Sequence, residues 1–185
     1  IRASHVAAFL AHLHGRTLKE KTINNILSTL RTCLTSAYDW ELIMGVPRFH
    51  WMKIPDHEIR VLTDAEAQRL LDATDDPFWK TVFLFFLHLG VRFGEAAALQ
   101  WSEVDLEGMP PLVHINWGAS RGIRGPTKTG SHRTLKLSGP LVSVLRSFPR
   151  TAALVFPGPG EQVMNPASKM KALHAYCRKA GIEPI

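Results

Sequence analysis

Gly90-Val91-Arg92-Phe93-Gly94-Glu95-Ala96-Ala97-Ala98-Leu99-Gln100-Trp101-Ser102-Glu103-Val104-Asp105 is the stretch on which the reading turns. It follows Phe78 to Leu89, a run so apolar on every side that it predicts a central buried helix, and Gly90 breaks that helix. An arginine placed directly after it emerges at the rim of the core, where it cannot shed its charge. Arg92 therefore needs Glu95, backbone carbonyls or an anionic ligand. The residues alone leave two readings open: an Arg92–Glu95 ion pair at a helix start, or a phosphate site. Leu99 and Trp101 read as core packing.

Downstream the period changes. Leu112–Asn116 and His132–Leu137 read as strands, the second alternating polar and apolar, with a Gly-rich basic stretch between them, so a small antiparallel sheet is expected. Ser138-Gly139-Pro140 begins a helix to about Phe148, Leu154–Phe156 is a short extended piece, and Asn165-Pro166 caps a last helix to about Ala180. From Met109 to Gly160 there is no Asp or Glu, while Arg121, Arg124, Lys128, Arg133, Lys136, Arg146 and Arg150 all fall there. Residues Glu58 to Glu107 instead hold ten acids against four bases. The basic block is thus local, and it reads either as a solvated face or as the footprint of a polyphosphate partner.

Upstream of the buried helix, Thr63-Asp64-Ala65-Glu66 has the pattern of a reciprocal cap for a helix to about Ala73. Pro55 and the aperiodic stretch from Trp51 to Arg60 suggest a linker, with a boundary near residue 58. Before it, Ser4 is expected to cap a first helix that Gly15 stops. A second helix carries Ile23, Ile26, Leu27, Leu30, Leu34 and Ala37 as its apolar stripe, continuing towards Trp40 and Leu42. Its outer face, with Lys21, Thr22, Asn25 and Arg31, is donor-rich and mildly basic. The fold class expected is mainly α with a small antiparallel sheet (α+β), with domains at 1–57 and 58–185.

The chain has 185 residues, 45% of them hydrophobic, and a net charge of +6, enough for one ordinary domain or two small ones. Val82 to Val91 is interrupted by His88 and far shorter than the roughly 20 residues of a membrane span, so no membrane role is expected. Cys33 and Cys177 are isolated, and no metal-ligand spacing of His or Cys occurs. Neither disulfide, zinc site nor cofactor is therefore indicated, and a cytoplasmic setting fits.

The stretch from Gly90 to Asp105 closely resembles the first arginine box of the tyrosine recombinases, or phage integrases. Pro126-Thr127-Lys128-Thr129-Gly130-Ser131-His132-Arg133, which by itself reads more readily as a solubilising hairpin turn, resembles that family's lysine turn. Thr22 to Arg31 is similar, more weakly, to a helix of its core-binding domain, although an ordinary bundle helix has the same pattern. The resemblance implies a helical SAM-like core-binding domain, incomplete at its start, followed by an integrase-like catalytic domain. Arg92 would bind the non-bridging oxygens of the scissile phosphate, Glu95 would hold and orient Arg92, and Lys128 would protonate the departing 5′ oxygen. Lys21, Thr22, Asn25, Arg31, Arg121, Arg124, Thr127, Thr129 and Arg133 become candidate contacts to duplex DNA.

The resemblance also implies a His-x-x-Arg box and a nucleophilic tyrosine, which would begin just past Ile185. Tyr176, between His174 and Arg178, has the wrong spacing and lies in an amphipathic helix, and Tyr38 belongs to the N-terminal helix pattern. The expectation is a fragment that binds DNA as a monomer without cutting it. The bacterial or phage-encoded parent would recombine DNA as a tetramer through a 3′-phosphotyrosyl link, without metal. The competing reading is a non-catalytic DNA-binding regulator on the same scaffold; an RNA-binding module is disfavoured by the lack of an aromatic stacking platform.

Overall fold

Helix α1 (Ala3–His14) and helix α2 (Glu20–Asp39) form where the three- and four-residue apolar spacing runs. They are the frame of the first of two compact units, Ile1–Ile59 and Arg60–Ile185, in a computed structural model that describes residues 1–55, 60–127 and 129–184. Val6, Leu13, Ile23, Leu27, Leu34 and Phe49 make its core. The chain after α2 is pinned back by Asn24, whose amide accepts from Met52 N–H at 2.8 Å and donates to Met52 C=O at 2.9 Å.

Two expectations at helix ends are corrected. Ser4 lies inside the first turn of α1, and Arg2 occupies the N-cap position, its N–H donating to His5 Nδ1. The stripe of α2 does not reach Trp40 and Leu42, which are both 71% exposed. Glu41 turns left-handed at φ 60°, and Glu41 and Leu42 N–H groups satisfy the carbonyls of Tyr38 and Ala37. That double bond is a helix stop, which rotates the following side chains off the buried face.

In the second unit, α3 (Asp64–Ala73) starts at the expected reciprocal cap of Thr63 and Glu66. Helix α4 (Pro77–Leu89) is capped by Asp76, with Pro77 in its first turn, and ends at Gly90 with φ 57°. Thr81, Val82, Phe83 and Phe85 are its buried side, whereas Leu87 is 43% exposed, so α4 is central but not enclosed all round. Phe78, Phe85, Phe148 and Phe156 meet edge-on or tilted beneath it, tying α4 to α6 (Gly139–Ser147). Phe85 and Phe156 are fully buried, and each such side chain contributes roughly 1.5–3 kcal/mol.

Strands β1 (Val104–Asp105), β2 (Leu112–Ile115) and β5 (Arg133–Lys136) form an antiparallel sheet in the order β1-β2-β5. Its alternation puts Val113 and Ile115 into the core at 0% and 1% exposure. The Gly-rich basic stretch, expected as a connection, contains a second ribbon: β3 (Trp117–Ser120) paired with β4 (Ile123–Pro126). Arg121 and Gly122 both have positive φ, 52° and 79°, the two-residue turn that suits a hairpin's twist. No alternating apolar pattern announces this ribbon, because much of it is Gly, Ser and Arg. Helix α7 (Pro166–Lys179) closes the unit, capped by Asn165.

Candidate functional site

Arg92 is the N-cap residue of α5 (Phe93–Ala98), extended in backbone, directly after buried Val91. Glu95, one turn on, reaches back so that its Oε2 accepts the Arg92 N–H at 2.8 Å. The Arg92 guanidinium donates once to Glu95 Oε1, at 3.1 Å. It is 60% exposed, and among the described residues its other donors have no partner.

Glu95 is 4% exposed at its side chain, yet charged. Arg133, at the start of β5, supplies the reason by donating Nη1 to Oε1 at 3.0 Å and Nη2 to Oε2 at 2.7 Å. These parallel bonds from Arg133 outweigh the burial that disfavours the carboxylate, and with the Arg92 donors they hold Glu95 down to about 2. The same pairing pushes Arg133 up. Two guanidiniums against one carboxylate leave the triad one net positive charge, at Arg92, its more exposed end.

Arg92 and Glu95 stand on the wall of a cleft of ≈ 560 Å³ whose other side is the β3–β4 ribbon, with Ala119, Ser120, Ile123 and Thr127. The approach of α5 to β3 is close because of Gly94: a Cβ there would sit 2.5 Å from the Ala119 carbonyl oxygen. The ribbon is fastened at its far strand by Arg124, which donates Nε to the Ala98 carbonyl at the end of α5 and Nη2 to Glu103, both at 3.0 Å. Its guanidinium also lies 4.7 Å over the Trp117 ring.

The expected site residues are thus divided. Arg92 and Glu95 come together as an ion pair at the start of α5. Arg124 and Arg133, expected at phosphates or a groove, instead close on the buried carboxylates Glu103 and Glu95. Thr127 is 5% exposed, and its hydroxyl donates to the Ser131 carbonyl within the turn. Thr129 is exposed and shares a 2.7 Å bond with Ser131, and Arg121 is exposed at the ribbon tip. Lys128 lies outside the described residues. In the first unit Lys21, Thr22, Asn25 and Arg31 are all exposed on α2. At about 100° per residue, Lys21 and Asn25 oppose the buried stripe, while Thr22 and Arg31 fall on opposite flanks.

Sequence reading missed the Arg133–Glu95 and Arg124–Glu103 pairs and the Asn24 anchor. The available signal was that Glu95 and Glu103 sit in apolar surroundings, where a carboxylate requires a cation from elsewhere. Tyr176 packs edge-on against Phe83 at 6.0 Å, and burial pushes its hydroxyl up, with Asp75 adding to this. No cluster of His, Cys, Asp and Glu that could hold a metal occurs among the described residues, and none of their helices is long and apolar enough to cross a membrane.

No protein-family model matches the chain. It is 30% identical over 139 residues to prophage integrase IntR of Escherichia coli (strain K12), covering 71% of this chain and 32% of IntR. With IntQ, named as a defective protein of the same organism, it shares 28% over 130 residues, 68% of this chain and 32% of IntQ. The match therefore spans about a third of the length of these curated relatives. In fold the chain is similar to the Tn1549 transposon integrase in complex with a circular intermediate DNA, with TM-score 0.80 and 16% identity over 100% of this chain and 67% of that one. It is also similar to a lambda integrase dimer bound to a COC′ core site, with TM-score 0.73 and 15% identity over 99% of this chain and 66% of that one.

Proposed function

We propose, from the premise that this chain is of the tyrosine recombinase and integrase family, that it grips duplex DNA and holds one phosphodiester at Arg92. The observation that carries the reading is the net positive charge of the Arg92–Glu95–Arg133 triad, presented on the wall of the cleft by its most exposed member. A planar guanidinium with free donors matches two phosphate oxygens, and its bond to Glu95 orients it at the start of α5, where it can meet the growth of charge at phosphorus.

In the whole parent protein, Arg92 would bind the non-bridging oxygens as a tyrosine hydroxyl attacks phosphorus. As the tyrosine oxygen bonds to phosphorus its proton is released to solvent, the bond to the 5′ oxygen breaks, Lys128 gives that oxygen a proton, and the 3′-phosphotyrosyl link keeps the bond energy for religation. The exposed donors of α2, Lys21, Thr22, Asn25 and Arg31, with Arg121 and Thr129, would contact the backbone and set register. The 185 residues by themselves bind duplex DNA as a monomer and do not cut it; the cleft that holds Arg92 is lined by no tyrosine among the described residues. The parent works as a tetramer on DNA in a bacterial cytoplasm.

A suicide duplex that traps the covalent intermediate tests this. The parent protein should give a covalent adduct that Arg92→Ala and Lys128→Ala each abolish or slow at least a hundredfold. The 185-residue chain should bind the duplex and give no adduct; an adduct from it, or a parent indifferent to Arg92→Ala, overturns the assignment.

A further inference from the structure

We infer that Arg133 is a positioning residue: by taking both oxygens of Glu95, it leaves the Arg92 guanidinium with an uncompensated positive charge directed at the cleft. The inference rests on the proposed use of Arg92 as the phosphodiester ligand, and it assigns that site a third member.

The geometry shows how the division arises. Glu95 accepts four hydrogen bonds, of which Arg133 supplies a parallel pair at 3.0 and 2.7 Å and the Arg92 side chain only one, at 3.1 Å. Glu95 is nearly inaccessible, so it cannot be neutralised by water or counter-ions and must be matched by protein. Among the described residues, the only other cation paired with Glu95 is Arg92. A fork and a carboxylate close bidentately when nothing competes, and the resulting neutral pair has no net charge to offer a phosphate.

Arg133 is built for this task in the fold. Its backbone is held by β2, where it pairs with Ile115, whose side chain is in the core. From that fixed point it reaches a carboxylate 38 residues earlier in the chain. Among the described residues Arg133 does not line the cleft, whereas Arg92 and Glu95 do. It also lies three residues after the turn that Gly130 N–H closes on the Thr127 carbonyl, so the same pair of bonds ties the end of that turn to α5.

The test measures binding of the 185-residue chain to a fluorescein-labelled random-sequence duplex, by anisotropy across a salt series, with melting curves on every variant. Arg133→Gln should weaken binding about tenfold and reduce the slope of log affinity against log salt by about one, the signature of one lost phosphate contact. Arg133→Lys, which keeps the charge but not the fork, should stay within about threefold of the parent chain. Adding Glu95→Gln to Arg133→Gln should restore affinity, because the charge needing a partner is gone. In an Arg92→Ala background Arg133→Gln should have no further effect.

Additive losses with Arg92→Ala, or no rescue by Glu95→Gln, overturn the inference, the first pointing to Arg133 touching DNA itself. Should Arg133→Gln not fold, the Lys variant decides, and a tenfold loss there overturns it. If Arg92→Ala alone leaves affinity and salt slope unchanged, the proposed phosphate role of Arg92 fails and this inference with it, a result read without any Arg133 variant.

Discussion

Gly94 of α5 lies so close to β3 that a methyl group on it would sit 2.5 Å from the carbonyl oxygen of Ala119, inside any real contact distance. The obstacle is backbone on both sides, so it cannot swing away as a flexible side chain would. The spacing of helix and ribbon across the cleft is set there, one residue from Glu95 and two from Arg92.

Gly94→Ala should therefore push the ribbon outward and destabilise the second unit by about 1–3 kcal/mol, the usual penalty of overpacking. Urea unfolding gives the stability change. The same variant should lose DNA affinity at concentrations where it is still folded, and a fully stable Gly94→Ala chain would contradict the close approach.

Acid should cost stability through Glu95, a carboxylate that keeps its charge well below the usual range. Its folded value, about 2, lies below the ordinary 4.5, so the carboxylate stabilises the fold while pH stays above 4.5. That contribution is lost progressively as pH falls from 4.5 through about 2. It amounts to roughly 3 kcal/mol at neutral pH, since each tenfold change in proton affinity is worth about 1.4 kcal/mol. Glu95→Gln should be less stable near neutrality and show a flatter acid limb; thermal melts between pH 6 and about 2.5 check this against the parent chain.

Arg124 holds the ribbon to the end of α5, and removing it strands Glu103, whose side chain is 10% exposed. Arg124→Met should cost about 2–4 kcal/mol, most of it from the carboxylate left without its cation. Glu103→Gln in the same chain should recover a good part of that loss. Equal losses in the single and double variants would mean that stacking on Trp117, not the ion pair, supplies the bond.

In the first unit, Asn24→Ala removes both partners of the Met52 backbone at once. A loss of about 1–3 kcal/mol is expected for the groups left unpaired. Amide exchange at Met52 should rise in step with it, while amides inside α2 keep most of their protection. Asn24→Asp, which retains only the acceptor, should fall between the two.

How far the site could be read in advance depended on distance along the chain. Arg92 and Glu95 are one helical turn apart, and both the apolar helix before them and their ion pair were open to reading from spacing, as were α3, α4 and α7. The acid-free block looked like an uncovered basic surface because charge was counted along the sequence. In the folded chain Arg133 meets Glu95, Arg124 meets Glu103 and Arg146 meets Glu107, acids that all precede the block. The β3–β4 ribbon was illegible for a related reason: its register comes from a turn and from packing on α5, with no alternating apolar side chains to announce it.

Sequence alone determined the helical class with a small antiparallel sheet, and an arginine directly after an apolar helix and its glycine stop. Those follow from local periodicity, caps and glycine stops, which act within a few residues. Tertiary structure decided which cations remain available to a ligand, because a buried carboxylate takes whichever guanidinium folding brings within hydrogen-bond reach. Electrostatic pairing depends on separation in space, and no linear pattern encodes the 38-residue return of Arg133 to Glu95.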